Sequence, residues 1–166
     1  MSPIDWVKRP LQKYADFSGR ASRPEYWWFV LAYIVAFMVI QIIESLLGIG
    51  TMVAGLYGPL MTILALGLLV PSLAVAVRRL HDTNRSGWWL LLVFIPYAIA
   101  GFLMARAMTA VDPATGLPEA AGLGSAGIFG VIALICAIVV LVFLVLPGTD
   151  GENRYGQRPG EDPVVA

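Results

Sequence analysis

Long apolar stretches separated by short polar segments dominate the hydrophobic pattern of this chain. Four of these stretches run over residues 26–47, 53–77, 88–105 and 127–146. Each is close to the roughly 20 apolar residues that a helix needs to cross a bilayer core. None shows the strict alternation of a membrane strand, and lipid cannot satisfy an open backbone. The pattern therefore predicts an all-α integral membrane protein with four transmembrane helices.

A short amphipathic helix is predicted before the first span. Its apolar residues recur at three- and four-residue spacing and form one stripe: Ile4, Val7, Leu11 and Tyr14. Ser2 is expected to cap this helix, and Pro10 is expected to kink or interrupt it. We expect the segment to lie in the cytoplasmic interface of the membrane.

The domain organisation follows from the same pattern. We expect one four-helix transmembrane domain over residues 1–156 and a flexible tail over residues 157–166. The loop over residues 107–126 is rich in Ala, Gly and Pro and is predicted to be mobile. Prolines inside the second and third spans predict kinks or locally broken helices.

Composition supports a membrane protein and excludes several other classes. The chain of 166 residues is 58% hydrophobic and only 13% charged, and its mean hydropathy is +0.78. A soluble chain has about twice that charged fraction. Eleven basic residues balance eleven acidic ones, so no global field favours nucleic acid. Cys136 is the lone cysteine. We therefore expect no disulfide, no metal site and no cofactor.

Lysine and arginine are distributed very unevenly between the two sides that four spans would create. Ten of the eleven fall on the side of the termini, and Arg106 alone falls on the other side. Because cytoplasmic segments carry the excess of these residues, we expect both termini in the cytoplasm. All five tryptophans fall on the same side. Four of them are expected to anchor the helices at the headgroup level: Trp27, Trp28, Trp88 and Trp89.

Two polar side chains of the first span are candidates for function. Gln41 and Glu44 share one helix face at three-residue spacing. An intramembrane carboxylate is a candidate functional group. Glu44 is, however, the fourth residue from the outer end of the span, which favours a side chain that snorkels to the outer interface.

Polar residues concentrate in three segments beside the predicted spans, all on the side predicted to be cytoplasmic. They are GRASRPEYWW before the first span, RRLHDTNRSGWW before the third and GTDGENRYG after the fourth. In the first segment, Ser22 is expected to cap the helix and Glu25 to reach back to it as a capping box.

These three segments, in this order, resemble the signature blocks of DUF805, a family of bacterial inner-membrane proteins named as a domain of unknown function. The resemblance extends from about Trp6 to Gly156. It implies a multi-pass inner-membrane protein. It implies no established activity, so the function has to be argued from the residues.

The arginines of these segments are candidate ligands for an anionic headgroup or phosphate, because guanidinium groups bind such anions in bidentate fashion: Arg20, Arg23, Arg78, Arg79 and Arg85. His81 and Asp82 are candidates for a proton-transfer pair. Asn153 and Tyr155 are expected to bring the tail onto the same surface. Alternatively, Asp82 and Glu25 do no more than neutralise Arg79 and Arg23.

Three functions remain open from the sequence. The leading hypothesis is a non-enzymatic membrane protein whose basic and aromatic cytoplasmic surface binds anionic lipid, a membrane-protein partner or a second copy. The second is an oligomeric transporter or channel component, motivated by Gln41, Glu44 and the prolines. The third is a lipid-headgroup enzyme that uses His81 and Asp82. Enzymes rank last because no nucleophile motif or metal-ligand set is present.

Overall fold

The computed structural model describes residues 2–49, 58–110, 116 and 120–160. These residues form five α-helices and no named strand. The helices are α1 (Pro3–Gln12), α2 (Arg23–Leu47), α3 (Pro59–Asp82), α4 (Leu91–Thr109) and α5 (Ala120–Val145), with a 3-10 turn at Gly87–Leu90.

Four helical segments are long and apolar enough to cross a membrane. They are α2, α3, α5 and the continuous segment Gly87–Thr109. Most of their apolar side chains are exposed, as expected for helices that face lipid rather than a soluble core. The all-helical prediction with four long apolar helices is therefore confirmed. Most of the loop predicted to be mobile, over residues 107–126, lies in α4, in α5 or outside the described residues. The start of the second predicted span, over residues 53–57, also lies outside the described residues.

The end of α3 differs from the prediction. The apolar stretch stops at Val77, but the helix continues to Asp82, and Thr83 is its C-cap. Arg78 and Arg79 are therefore helical and buried, whereas the prediction placed them in a loop. Hydropathy marks the apolar part of a helix, and arginine is itself a good helix former, so the backbone ladder extends past the apolar stretch.

Helix α1 precedes the first span. The Ser2 hydroxyl accepts a hydrogen bond from the Asp5 N–H, and the Asp5 carboxylate bonds back to the Ser2 N–H. The helix passes through Pro10, which is buried, so the expected interruption is absent. Pro71 and Pro96 likewise lie inside the continuous helices α3 and α4. The interfacial position of α1 stays a prediction.

The chain divides into two compact units. The first contains α1, α2 and α3 together with the residues after Leu146. Within it, α2 and α3 pack antiparallel, because Glu25 meets Arg78 near one end and Glu44 meets Leu60 near the other. The second unit, from Ser86 to Leu146, consists of α4 packed on α5 and includes an edge-to-face pair between the Trp89 and Phe143 rings. The prediction of a single domain stays a prediction.

Glu44 caps the start of α3. Its carboxylate is fully buried, and Oε1 accepts hydrogen bonds from the Leu60 N–H at 2.6 Å and the Met61 N–H at 3.1 Å. The predicted snorkelling to the outer interface is therefore wrong. The first N–H groups of a helix have no intrahelical acceptor and form its positive end, so they offer this carboxylate a better site. A Cβ on Gly58 would lie 2.3 Å from Oε2, so the contact requires glycine there. Gln41 is exposed.

Candidate functional site

A buried ionic cluster lies where α2 begins and α3 ends, in the first unit. Three chain segments meet there, namely the residues just before α2, the last turn of α3 and the segment over residues 147–156. These are the three polar segments of the sequence. We call their buried charged side chains the ionic cluster: Arg20, Glu25, Arg78, Arg79 and Asp82.

Asp82 is the centre of the cluster. Its Oδ1 accepts a hydrogen bond from the Arg20 Nε at 2.9 Å and lies 2.8 Å from the Arg20 Nη2. Its Oδ2 is bonded by the Arg79 Nη1. Both arginine side chains are fully buried. A buried carboxylate needs such partners, because an unpaired charge in a low dielectric is very costly. The expected neutralisation of Arg79 by Asp82 is thus present, with Arg20 as a second cation.

Arg20 also holds the C-terminal segment in place. Its Nη1 donates to the Gly151 carbonyl and its Nη2 to the Thr149 carbonyl, each at 2.6 Å. The Thr149 N–H in turn donates to the Asp82 carbonyl at 2.9 Å. Gly148 comes so close that a Cβ there would lie 2.2 Å from the Asp82 Oδ2. One arginine therefore joins the start of α2, the end of α3 and the chain after α5.

A second buried pair joins α2 to α3. The Arg78 Nη1 lies 2.8 Å from the Glu25 Oε1, and both side chains are almost fully buried. The Ser22 hydroxyl caps α2 as expected, accepting from the Glu25 N–H at 3.3 Å. The Glu25 carboxylate pairs with Arg78 instead of completing the capping box. Burial explains this choice, because Arg78 has no water to solvate it. Its Nε and Nη2 have no hydrogen-bond partner within the described residues.

His81 and the tail residues pack beside the cluster. The His81 ring stacks on the Tyr155 ring, with centroids 3.7 Å apart and planes 3° from parallel. The His81 Nδ1 lies 3.1 Å from the Gly19 carbonyl oxygen, and the Asn153 Nδ2 donates to the His81 carbonyl at 3.0 Å. Asn153 and Tyr155 thus fold the tail onto the end of α3. In the described part of the chain, no hydrogen bond joins the His81 and Asp82 side chains.

The remaining predicted site residues lie at the surface of their units. Arg85 is half-buried, and its Nη1 donates to the Thr83 carbonyl at 3.1 Å. Arg23 is exposed at the start of α2. The anchor tryptophans are also exposed: Trp27, Trp28, Trp88 and Trp89.

A hollow of about 250 Å³ borders the ionic cluster. Ser22, Arg23 and Pro24 form its wall at the start of α2, and Asp82 faces it from the cluster. The chain after α5 closes the other side with Pro147, Gly148, Arg158 and Pro159. We call this space the arginine hollow.

Two features of this site were not predicted from the sequence. The first is the pairing of Glu25 with Arg78, which the sequence signals weakly as opposite charges at ends of adjacent spans on one predicted side. The second is Arg158, which was assigned to a flexible tail. It pairs with Asp150 at 3.1 Å and lines the arginine hollow.

Comparisons with known proteins assign the family. A family model described as "Protein of unknown function (DUF805)" matches residues 14–157, a range that contains all three polar segments. The chain belongs to the DUF805 family. The sequence resemblance is thereby confirmed, and the DUF805 match covers α2 to α5 and most of the ionic cluster's surroundings.

Three relatives of this chain come from Escherichia coli (strain K12). Inner membrane protein YhaH is 33% identical over 160 residues, which cover 96% of this chain and 100% of YhaH. Inner membrane protein YhaI is 33% identical over 157 residues, or 94% of this chain and 96% of YhaI. Uncharacterized protein YiiR is 27% identical over 145 residues, or 86% and 84%. No solved structure matches this chain.

Proposed function

We propose that this DUF805 protein is a non-enzymatic, multi-pass protein of the bacterial inner membrane whose arginine hollow binds the anionic headgroup of a lipid at the cytoplasmic surface. The inner membrane is supported by the names of YhaH and YhaI. The single observation that carries the headgroup site is a charge imbalance beside the hollow.

The ionic cluster contains one more cation than anion. Its buried charged side chains are three arginines and two acids, which leaves a formal excess of one positive charge among the described residues. Hydrogen bonds from Arg20 to backbone carbonyls solvate this charge in part but do not neutralise it. A buried excess charge is stabilised by a counter-ion at close range. The arginine hollow borders the cluster at Asp82, whose carboxylate is held by the Arg20 and Arg79 guanidinium groups, and a counter-ion there would lie close to the excess charge.

The lining of the arginine hollow suits an anion. Arg23 and Arg158 are both exposed there, and guanidinium groups bind phosphate oxygens in bidentate fashion. The positive end of α2 also favours negative charge at this position. Arg158 pairs with Asp150, but both side chains are largely solvated, so an incoming phosphate can replace that weak pair.

The depth of the hollow suits a headgroup. Trp27 and Trp28 follow it on α2, and tryptophan prefers the headgroup level of a bilayer. If the termini are cytoplasmic, as the distribution of basic residues predicts, the hollow faces the leaflet rich in anionic lipid. Each basic residue near that surface is attracted by roughly 1 kcal/mol.

The test is retention of lipid by the extracted protein. Native mass spectrometry in micelles containing phosphatidylglycerol is expected to show a retained lipid, with phosphatidylcholine retained far less. In the double variant Arg23→Gln, Arg158→Gln, retention should fall at least about tenfold, because a tenfold change corresponds to roughly 1.4 kcal/mol and each lost guanidinium–phosphate contact is worth roughly 1.5–3 kcal/mol.

A matched control removes the same charge elsewhere. The double variant Arg106→Gln, Arg154→Gln changes two exposed arginines outside the arginine hollow and should retain phosphatidylglycerol like the unmodified protein. Equal retention by both double variants would overturn the headgroup site.

A further inference from the structure

An apolar groove lies between α1 and α2. It has a volume of about 510 Å³. Its walls are Pro3, Ile4, Val7 and Lys8 of α1 and Trp28, Leu31, Ala32 and Val35 of α2. Lys8 is the one charged residue among them, and it is exposed. Its ammonium group can extend to the headgroup level while its methylenes remain against the groove.

The groove continues into the arginine hollow along α2. A shallow depression lined by Arg23, Pro24, Trp27, Trp28 and Leu31 connects them. It shares Arg23 and Pro24 with the arginine hollow, and Trp28 and Leu31 with the groove. The lining thus changes from cationic through aromatic to aliphatic in one direction along the helix.

The length of this path fits one leaflet. From Arg23 to Val35 the path follows twelve helical steps, or about 18 Å at 1.5 Å per residue. One leaflet contributes about half of the roughly 30 Å hydrocarbon core. A phosphate at Arg23 would therefore place an acyl chain beside Leu31, Ala32 and Val35.

We propose that the occupant is a single anionic phospholipid, with its phosphate in the arginine hollow and one acyl chain in the groove between α1 and α2. The proposal rests on the proposed function, because it takes the same arginine hollow as the headgroup site. Charge complementarity and the polar-to-apolar gradient favour a phospholipid over a second copy of the chain, which would bring no phosphate to Arg23. They also favour it over a free phosphate, which would leave the apolar groove unused.

The experiment separates the acyl-chain site from the headgroup site. Ala32→Phe places a ring in the groove without changing charge, and Ala98→Phe makes the same change at an exposed position of α4. Native mass spectrometry would compare dioleoyl and dihexanoyl phosphatidylglycerol. Ala32→Phe is expected to lower retention of the long-chain lipid about tenfold and leave the short-chain lipid unchanged. Ala98→Phe should change neither, and the Arg23 and Arg158 double variant should lower both.

A second measurement does not depend on a groove variant. Phosphatidylglycerol brominated in its acyl chains quenches tryptophan fluorescence at short range. Trp28 lines both the groove and the connecting depression, so Trp28→Phe should remove a large share of the quenching. Trp88→Phe, an exposed tryptophan of the other unit, should remove only a share typical of general bilayer contact.

The failures of the two proposals are distinguishable. Equal retention of short- and long-chain lipid, with no effect of Ala32→Phe or Trp28→Phe, would overturn the acyl-chain site and leave the headgroup site in place. If the Arg23 and Arg158 double variant also left lipid retention unchanged, both the acyl-chain site and the headgroup site would be overturned. A lipid-free dimer that Ala32→Phe converts to a monomer would also overturn the acyl-chain site, because the groove would then hold a second copy.

Discussion

At the scale of single residues, several charged side chains of this apolar chain are among its most buried groups. Arg20, Arg78 and Arg79 are more buried than most leucines of the four apolar helices. In a soluble protein such residues face water, but here lipid surrounds the helices and only the protein interior supplies acceptors. Asp82, Glu25 and backbone carbonyls supply them. Arg23 and Arg158 differ from these three arginines because they are exposed.

Substitutions in the pair between Glu25 and Arg78 test whether the buried arginines depend on acceptors inside the protein. Arg78→Met should lower the free energy of unfolding by about 3 kcal/mol or more, because a buried carboxylate loses its partner. Denaturant titration in detergent micelles measures this loss. The double variant Glu25→Met, Arg78→Met should recover most of it, since no buried charge remains. A double variant as unstable as the sum of both single variants would contradict the pairing.

At the scale of elements, α3 is fixed to α2 at both ends by charge. Glu44 supplies the acceptor for the first N–H groups of α3, and Glu25 binds its last turn through Arg78. Each contact satisfies backbone or side-chain groups that lipid cannot satisfy. The two helices therefore have a defined register along their whole length.

Replacing the Glu44 cap should loosen that register. Glu44→Ala is expected to destabilise the protein by roughly 1–3 kcal/mol, because buried N–H groups lose their acceptor. Glu44→Gln keeps a carbonyl oxygen and should cost less. Gln41→Ala, an exposed position one turn away, is the control and should cost little. Thermal unfolding in micelles provides the comparison, and equal loss in Glu44→Ala and Gln41→Ala would show that the cap is unimportant.

At the scale of the whole molecule, four apolar helices and an uneven distribution of basic residues define how the chain is expected to lie in the membrane. An even number of spans places both termini on one side. We expect the arginine hollow, the ionic cluster and the anionic lipids of the cytoplasmic leaflet to lie on that same side.

Cysteine labelling tests this topology. Cys136 is first replaced by serine, and single cysteines are then placed at Asp150 and Thr109, which are both exposed. In intact spheroplasts, a membrane-impermeant maleimide should label the cysteine at 109 and not the one at 150. Permeabilised cells should show labelling at both positions, which confirms that each is reachable. The reverse pattern in intact cells would invert the proposed orientation.

The sequence by itself determined the class of this protein and the existence of its four long apolar helices. The length of an apolar stretch is a local property of the sequence, and a helix spans the bilayer core when that length matches the thickness of the core. No tertiary information was therefore needed. The start of α2 at Arg23 and its Ser22 cap were also predictable, because a cap depends on residues within one turn. The three polar segments were likewise recognisable as a set.

Only the tertiary structure decided which group each buried charged side chain binds. The partner of Glu25 lies 53 positions away, and the Asp82 carboxylate meets Arg20 from 62 positions away. Glu44 is buried against the start of a neighbouring helix instead of reaching solvent. In each case several candidate partners had suitable chemistry, and the choice depended on which groups the packed helices bring together and shield from water. Burial and pairing are properties of that arrangement, which local sequence patterns do not specify.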